Sequence, residues 1–376
     1  MKFSDISFHR NAIDRLRRMA DEDRIPHAIL IDGPEGIGKF ALARAFAQYV
    51  HCDNHTPDGD SCGVCRSCRL HQALNHTDLH FSFPVVKLEN MTSPPVSDDF
   101  LNEWRDFIKS NRFMSIDSWA STFTKKNAQP MIYAPESSSI IHKLSLTSHI
   151  SRYQILILWL PERLGSDTAN KLLKLVEEPL EDTLIIMVSN DSKSILPTIS
   201  SRLQRVTLRP LSDQTVTSIL MEENPLDEND AKAIAHLSLG NIIEAMRQLS
   251  LSEEQSSFFE MFKSLMRLAY QRKIKDLREW ANDLAALGRE KELKFYEYTS
   301  RLIRENFIYN FALPELNYLN SAEGDFSRNF ARFITERNVE KLIEVFDNAR
   351  TDIAGNGNGK IINLDVAIKT ILLLKS

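Results

Sequence analysis

The sequence predicts an α/β parallel-sheet domain built on a phosphate-binding loop, followed by a small helical domain and an all-α C-terminal domain. Three observations carry this prediction. A G-x-x-x-x-G-K frame lies between a short apolar run and an Ala-rich helix, two more continuous apolar runs have strand length, and helical patterning fills the chain from Leu211 onward. The 376 residues suffice for two or three domains. A hydrophobic content of 43% and a charged content of 26% are ordinary for a globular protein. The net charge of −5 argues against coating nucleic acid by bulk charge, but leaves room for a local basic surface. No apolar run reaches membrane-spanning length, and Met1-Lys2-Phe3-Ser4-Asp5 has no signal-peptide core, so the expectation is a cytoplasmic protein with no membrane partner.

His27 to Asp32 reads as a buried strand, and Phe40 to Ala47 as the helix that follows the loop. Between them stands Gly33-Pro34-Glu35-Gly36-Ile37-Gly38-Lys39-Phe40. In such loops backbone N–H groups cradle phosphates, the lysine reaches the β/γ-phosphates, and a Ser or Thr hydroxyl holds Mg²⁺. Phe40 occupies the hydroxyl position, and a phenyl ring cannot ligate magnesium. Gly33, Gly36, Gly38 and Lys39 are therefore candidates for a degenerate nucleotide site that binds ATP or ADP weakly at most.

All four cysteines lie between Cys52 and Cys68. Cys62, Cys65 and Cys68 make two overlapping C-x-x-C steps, and Cys52 supplies a fourth thiol. In a reducing compartment this clustering points to metal binding, and four thiolates suit a closed, structural Zn²⁺ site. A redox C-x-x-C and accidental clustering are the competing readings. His51, His55 and His71 lie nearby, but four thiols complete the shell, so they are expected at the surface.

Tyr153 to Glu162 reads as a strand buried on both faces. A working ATPase carries acidic residues at this tip; here it reads Trp159-Leu160-Pro161-Glu162, and Glu162 is expected as a solvated helix-start residue. Asp167 to Pro179 is an amphipathic helix with Leu172, Leu173, Leu175 and Val176 on its apolar face, and Thr183 to Asn190 is a further buried strand.

These elements together resemble the clamp-loader subunits of the AAA+ superfamily, the assemblies that serve bacterial DNA polymerase III. The resemblance rests on the P-loop, the cysteine module just after it, Ala169-Asn170-Lys171-Leu172-Leu173-Lys174 leading to Glu177-Glu178-Pro179, and Ser201-Arg202-Leu203 in place of a Ser-Arg-Cys element. It covers roughly residues 1–76 and 150–250. It implies a ring-like pentamer with ATP at its interfaces and Arg202 reaching the neighbour's γ-phosphate as an arginine finger. Arg205 rivals Arg202 by charge; motif position favours Arg202. Asn190 matches the position of a γ-phosphate sensor, with Ser189 equally placed, and Ile243 stands where a lid arginine is expected. The implied partners are subunits of the gamma/tau and delta kinds and, through the complex, the sliding clamp and primed DNA.

The expected domains are 1–208, with a zinc module at 52–68 and an insertion at 77–150; a helical lid at 209–251; and a helical collar at 252–376. Within the insertion a helix from Asp98 to Ile108, capped by Ser97 or Asp98, is expected, with Trp104 and Trp119 as packing anchors. The apolar final helix, Asn363 to Leu374, suggests packing against neighbours. Three functions follow: a subunit of the loader that does not hydrolyse ATP and loads the clamp in trans, an active gamma/tau-like ATPase, and a zinc-dependent nucleic-acid-binding protein with a relic P-loop.

Overall fold

The computed structural model describes residues 1–123, 129–311 and 319–374. The chain forms two compact units, Met1–Gln248 and Leu249–Ser376, the boundary falling inside the helix Ile242–Gln271.

The first unit is built on a five-stranded parallel sheet of β1 (Ala28–Asp32), β2 (Leu79–Ser82), β3 (Gln154–Trp159), β4 (Thr183–Ser189) and β5 (Gln204–Thr207) in the order β2-β3-β4-β1-β5. The three central strands are buried throughout because helices cover both faces. Alternate residues divide between two cores. Ile29, Ile31, Ile155, Ile157, Ile186 and Val188 face one side, and Leu30, Leu156, Leu158, Ile185 and Met187 the other. On the first side packs the helix Lys39–Val50; on the second pack the helices Pro135–Leu144 and Ser166–Glu177. Registers Asp32↔Ser189 and Trp159↔Val188 bring the C-terminal ends of β1, β3 and β4 to one edge, where ligands bind in sheets of this kind.

The stretch 77–150 is not all insertion. It supplies edge strand β2, paired to β3, and the helix Pro135–Leu144. The material between begins with a 3-10 turn, Ser97–Phe100, and a helix, Leu101–Ser110. Neither expected cap is used. Ser97 Oγ exchanges hydrogen bonds with the Phe83 backbone, Asp98 pairs with Lys143 at 2.7 Å, and it is Asp99 that accepts from the Val96 N–H at 2.9 Å. Trp104 and Trp119 are fully buried, and Trp119 Nε1 donates to Pro84 O at 2.7 Å.

Asp78, fully buried just ahead of β2, ties this region down. Its carboxylate accepts from three successive backbone N–H groups, His149, Ile150 and Ser151, at 2.8, 2.7 and 2.8 Å. Burial opposes its charge, but these donors outweigh it and hold the acid below the ordinary carboxylate range. A depressed folded pKa gives stability that is present above the unfolded value and lost as pH falls through the folded one. Asp78→Asn replaces an acceptor oxygen with N–H donors and is expected to cost about 2–4 kcal/mol in urea unfolding at pH 7, a cost that shrinks as the wild type is acidified below pH about 4.

The second unit is helical: Ile274–Ala286, Arg289–Tyr309, Ser321–Phe330, Val339–Ala354 and Gly359–Leu373 surround Phe262, Phe295, Tyr296, Leu342 and Phe346. Asn363 is buried but satisfied, donating to Glu292 at 2.8 Å and accepting from Tyr296 Oη at 2.7 Å. The final helix leaves Ile361 and Leu372 each 68% exposed.

Candidate functional site

The Gly-rich loop joins β1 to the helix Lys39–Val50, and it is closed. Gly36 and Gly38 take left-handed backbone at φ 75° and 81°. A side chain at Gly36 would strike Asn241 Oδ1, and one at Gly38 would strike the Phe8 ring. Asn241 Oδ1 accepts from the Ile243 and Glu244 N–H groups at 2.9 and 3.2 Å, and the Ile242 N–H donates to Gly36 O at 3.0 Å. The segment that would carry a lid arginine thus closes onto the loop. Lys39 is 4% exposed, and its Nζ donates to Pro34 O within its own loop. Burial lowers its pKa to about 8, against the opposing pull of Glu162, Glu35 and Asp32. The space left among Gly36, Gly38, Lys39, Arg112, Trp159 and Asn190 is about 10 Å³. That holds at most one water, not a triphosphate.

Phe40 is buried in an aromatic cluster beside the loop. Its ring meets Trp104 edge-to-face at 5.5 Å and Phe81 at 6.2 Å. Trp104 stacks on Phe83 at 4.0 Å and touches Trp119 and Trp159 at 5.1 and 5.3 Å. The residue at the magnesium position is therefore an anchor for the inserted segment. Beyond its helix, Arg112 lies over the rings of Phe8 and Phe113 at 5.3 and 5.5 Å and donates to Asp5 O at 2.6 Å. Sequence reading missed this role because aromatic residues far apart in the chain carry no mutual signal.

At the strand tips, Glu162 does lie in the first turn of a short 3-10 helix, Pro161–Arg163, but it is not solvated. It is half-buried and accepts from Ser189 Oγ at 2.8 Å and the Asn190 N–H at 2.9 Å. Asn190 Nδ2 donates to Glu35 at 3.3 Å. Both polar groups at the sensor position thus have partners within the chain.

Arg202 stands elsewhere. It precedes β5 by two residues, and β5 pairs Gln204 with Ile29 and Thr207 with Asp32. Arg202 is therefore at the N-terminal edge of the parallel sheet and the P-loop at the C-terminal edge, roughly 15 Å or more apart at 3.3 Å per residue. Its Nη2 pairs with Glu177 at 2.8 Å, and its Nη1 donates to Thr198 O at 2.7 Å. Arg205 lies on β5 itself.

Cys52, Cys62, Cys65 and Cys68 bring their sulfurs within 4.8 Å of one another, with Cys62 and Cys68 at 3.9 Å. A tetrahedral site with metal–sulfur bonds of about 2.3 Å needs sulfurs about 3.8 Å apart, so the four fit one ion. Backbone N–H groups already point at the sulfurs: Cys62 to Cys52 at 3.2 Å, Cys65 to Cys62 at 3.3 Å and Cys68 to Cys65 at 3.4 Å. The Val64 and Cys65 N–H groups draw the Cys62 pKa down to about 6, while burial pushes Cys52 and Cys68 up.

His51 and His71 are not surface residues; they are 2% and 4% exposed. With His76 they form a second group whose ring nitrogens lie within 4.8 Å of one another. His51 Nε2 bonds to Tyr153 O at 2.9 Å, so its Nδ1 is the acceptor for His71 Nε2 at 2.9 Å. His76 Nδ1 accepts from the Asp78 N–H at 3.1 Å, and its Nε2 bonds to Ser67 Oγ at 2.8 Å. Both nitrogens of His76 are engaged and His51 and His71 bond to each other, so these rings read as neutral hydrogen-bonded side chains in mutual ring contact. His55 is exposed and stacks on Tyr49 at 4.0 Å.

Residues 8–212, more than half of the chain, match the family described as DNA polymerase III, delta subunit. The chain belongs to that family. It is 26% identical over 253 residues to DNA polymerase III subunit delta' of Bacillus subtilis, a match covering 67% of this chain and 62% of that protein. It is 28% identical over 218 residues to DNA polymerase III subunit gamma/tau of Mycobacterium tuberculosis, covering 58% and 30% respectively. A solved gamma subunit-related protein from Thermotoga maritima is similar at a TM-score of 0.35 and 15% identity, over 96% of this chain and 99% of that one. Among the described residues no helix is long and apolar enough to cross a membrane.

Proposed function

We propose that this chain is a delta-prime-like AAA+ subunit of the DNA polymerase III clamp loader that does not hydrolyse ATP itself and donates Arg202 to a neighbour's ATP site. The observation that carries this reading is the split across the sheet. The P-loop edge is filled by the chain's own side chains, while a half-exposed guanidinium stands at the opposite edge, out of reach of its own loop. Such a guanidinium can meet a phosphate only on another subunit. The lid reading of residues 209–251 gains support from Asn241 closing on Gly36, and the collar reading from the exposed apolar side chains of the final helix. The four cysteines hold a structural Zn²⁺ that crosslinks the segment after the helix Lys39–Val50 to the helix Arg66–Gln72. Partners are gamma/tau-type and delta-type subunits and, through them, the sliding clamp and primed DNA, in the cytoplasm.

The test is reconstitution. The purified chain is expected to co-elute with a gamma/tau-type subunit and raise the ATPase of the complex, while the isolated chain neither hydrolyses ATP nor retains it in equilibrium dialysis. Turnover by the isolated chain at rates ordinary for an ATPase overturns the reading.

A further inference from the structure

We propose that Glu177 is a positioning residue for Arg202: it holds the guanidinium oriented for a phosphate on the neighbouring subunit. This rests on the reading of Arg202 as a finger acting in trans. Glu177 is the last residue of the helix Ser166–Glu177, and Arg202 follows the short helix Pro197–Ser200, so the contact joins two elements far apart in sequence. As a stabilising device the pair is poorly placed. A carboxylate at a helix C-terminus faces the negative end of the dipole, and the two side chains are 39% and 42% exposed, where an ion pair contributes little.

As an orienting device it is well placed. Glu177 Oε1 lies 2.8 Å from Nη2 as an ion pair and Thr198 O accepts from Nη1 at 2.7 Å, so both terminal nitrogens of the fork are engaged. Each terminal nitrogen carries two N–H groups, so each has a second one to offer a phosphate oxygen. The turn bearing Arg202 is itself braced. Ser201 Oγ donates to Thr198 O at 3.3 Å and the Arg202 N–H to Ile199 O at 3.0 Å. A long side chain held at two points loses less freedom when its target arrives, and a small misplacement of such a group is costly in rate.

The experiment uses the assembled clamp loader containing the full chain, with steady-state ATPase as the readout, and compares wild type, Glu177→Ala, Glu177→Gln, Arg202→Ala and the double variant Glu177→Ala/Arg202→Ala. Glu177→Ala is expected to lower kcat about 5–10-fold while KM for ATP stays within about twofold. Glu177→Gln keeps an acceptor at the same reach and is expected to retain more than about half of the wild-type kcat. On the Arg202→Ala background, Glu177→Ala is expected to slow the complex no further, because its effect passes through the arginine. Wild-type kcat in Glu177→Ala, or the same slowing with and without Arg202, overturns the positioning role and leaves the finger reading standing. Wild-type rates in Arg202→Ala overturn the finger reading itself, and the positioning role with it.

Discussion

Cys68→Ser is expected to take the proposed Zn²⁺ from one ion per chain to none and to destabilise the first unit by roughly 4 kcal/mol or more, the range in which loss of a structural metal falls. The size follows from what the module ties together. Cys52 follows the helix Lys39–Val50, Cys65 caps the helix Arg66–Gln72, and the loop between them reaches the N-terminal segment, where the Asp60 carboxylate accepts from the Phe3 and Ser4 N–H groups at 3.1 and 2.9 Å. Cys68 is fully buried and Cys52 nearly so. Without an ion these thiols sit in a core that disfavours their ionisation; with one, all four become thiolates and the backbone N–H groups aimed at them gain charge-assisted partners. A hydroxyl at position 68 binds zinc far more weakly than a thiolate and leaves a buried polar atom behind. Elemental analysis and guanidinium unfolding, with and without a chelator, check both parts. A wild-type chain that carries no zinc and unfolds at the same midpoint as Cys68→Ser refutes the metal assignment.

The three central strands were legible because they are continuous apolar runs bounded by turn residues, and because the Gly-rich frame fixed which strand came first; β5, Gln204–Thr207, was not, since only Val206 of its four residues is buried. β2 was not legible as a strand. Leu79–Ser82 is four residues long and sits at an edge, too short for a periodic signal, and so its neighbourhood looked like insertion. The cysteine cluster was legible from spacing alone, since four thiols within seventeen positions leave few geometries. The burial of His51 and His71 was not, because it depends on the two rings meeting each other and on Tyr153 O arriving from another element to take His51 Nε2. The same limit applied at the P-loop. Phe40 could be recognised as incompatible with magnesium, but Phe81 and Trp104, whose rings pack against it in the core, come from segments about 40 to 65 positions further on. Sequence therefore revealed the missing chemistry more readily than the packing that replaced it.

Arg202→Ala is expected to lower the ATPase of the assembled complex on the order of 10³-fold while leaving the chain folded and able to assemble. The two halves of this expectation have different origins. The rate loss comes from removing a permanent positive charge from the place where phosphate charge develops, in an interface where water cannot substitute for it. The intact fold follows from the exposure of the side chain and from its ion pair with Glu177, whose loss at the surface costs about 1 kcal/mol or less. Arg202→Lys is not expected to restore the rate. A single ammonium cannot be held by Glu177 and Thr198 on two arms and still present paired N–H groups to a phosphate. Lys39→Ala makes the opposing case. In an ordinary ATPase it would remove phosphate binding and spare the fold; here Nζ is bound to Pro34 O amid Glu162, Glu35 and Asp32, so its loss should lower the unfolding midpoint of the chain and leave the neighbour's turnover unchanged. Measured side by side in one reconstituted complex, the two substitutions separate the chain's two sheet edges: the arginine edge governs rate and the lysine edge governs stability. Equal ATPase rates for Arg202→Ala and wild type would remove the trans-acting role from this chain, whatever the state of its P-loop.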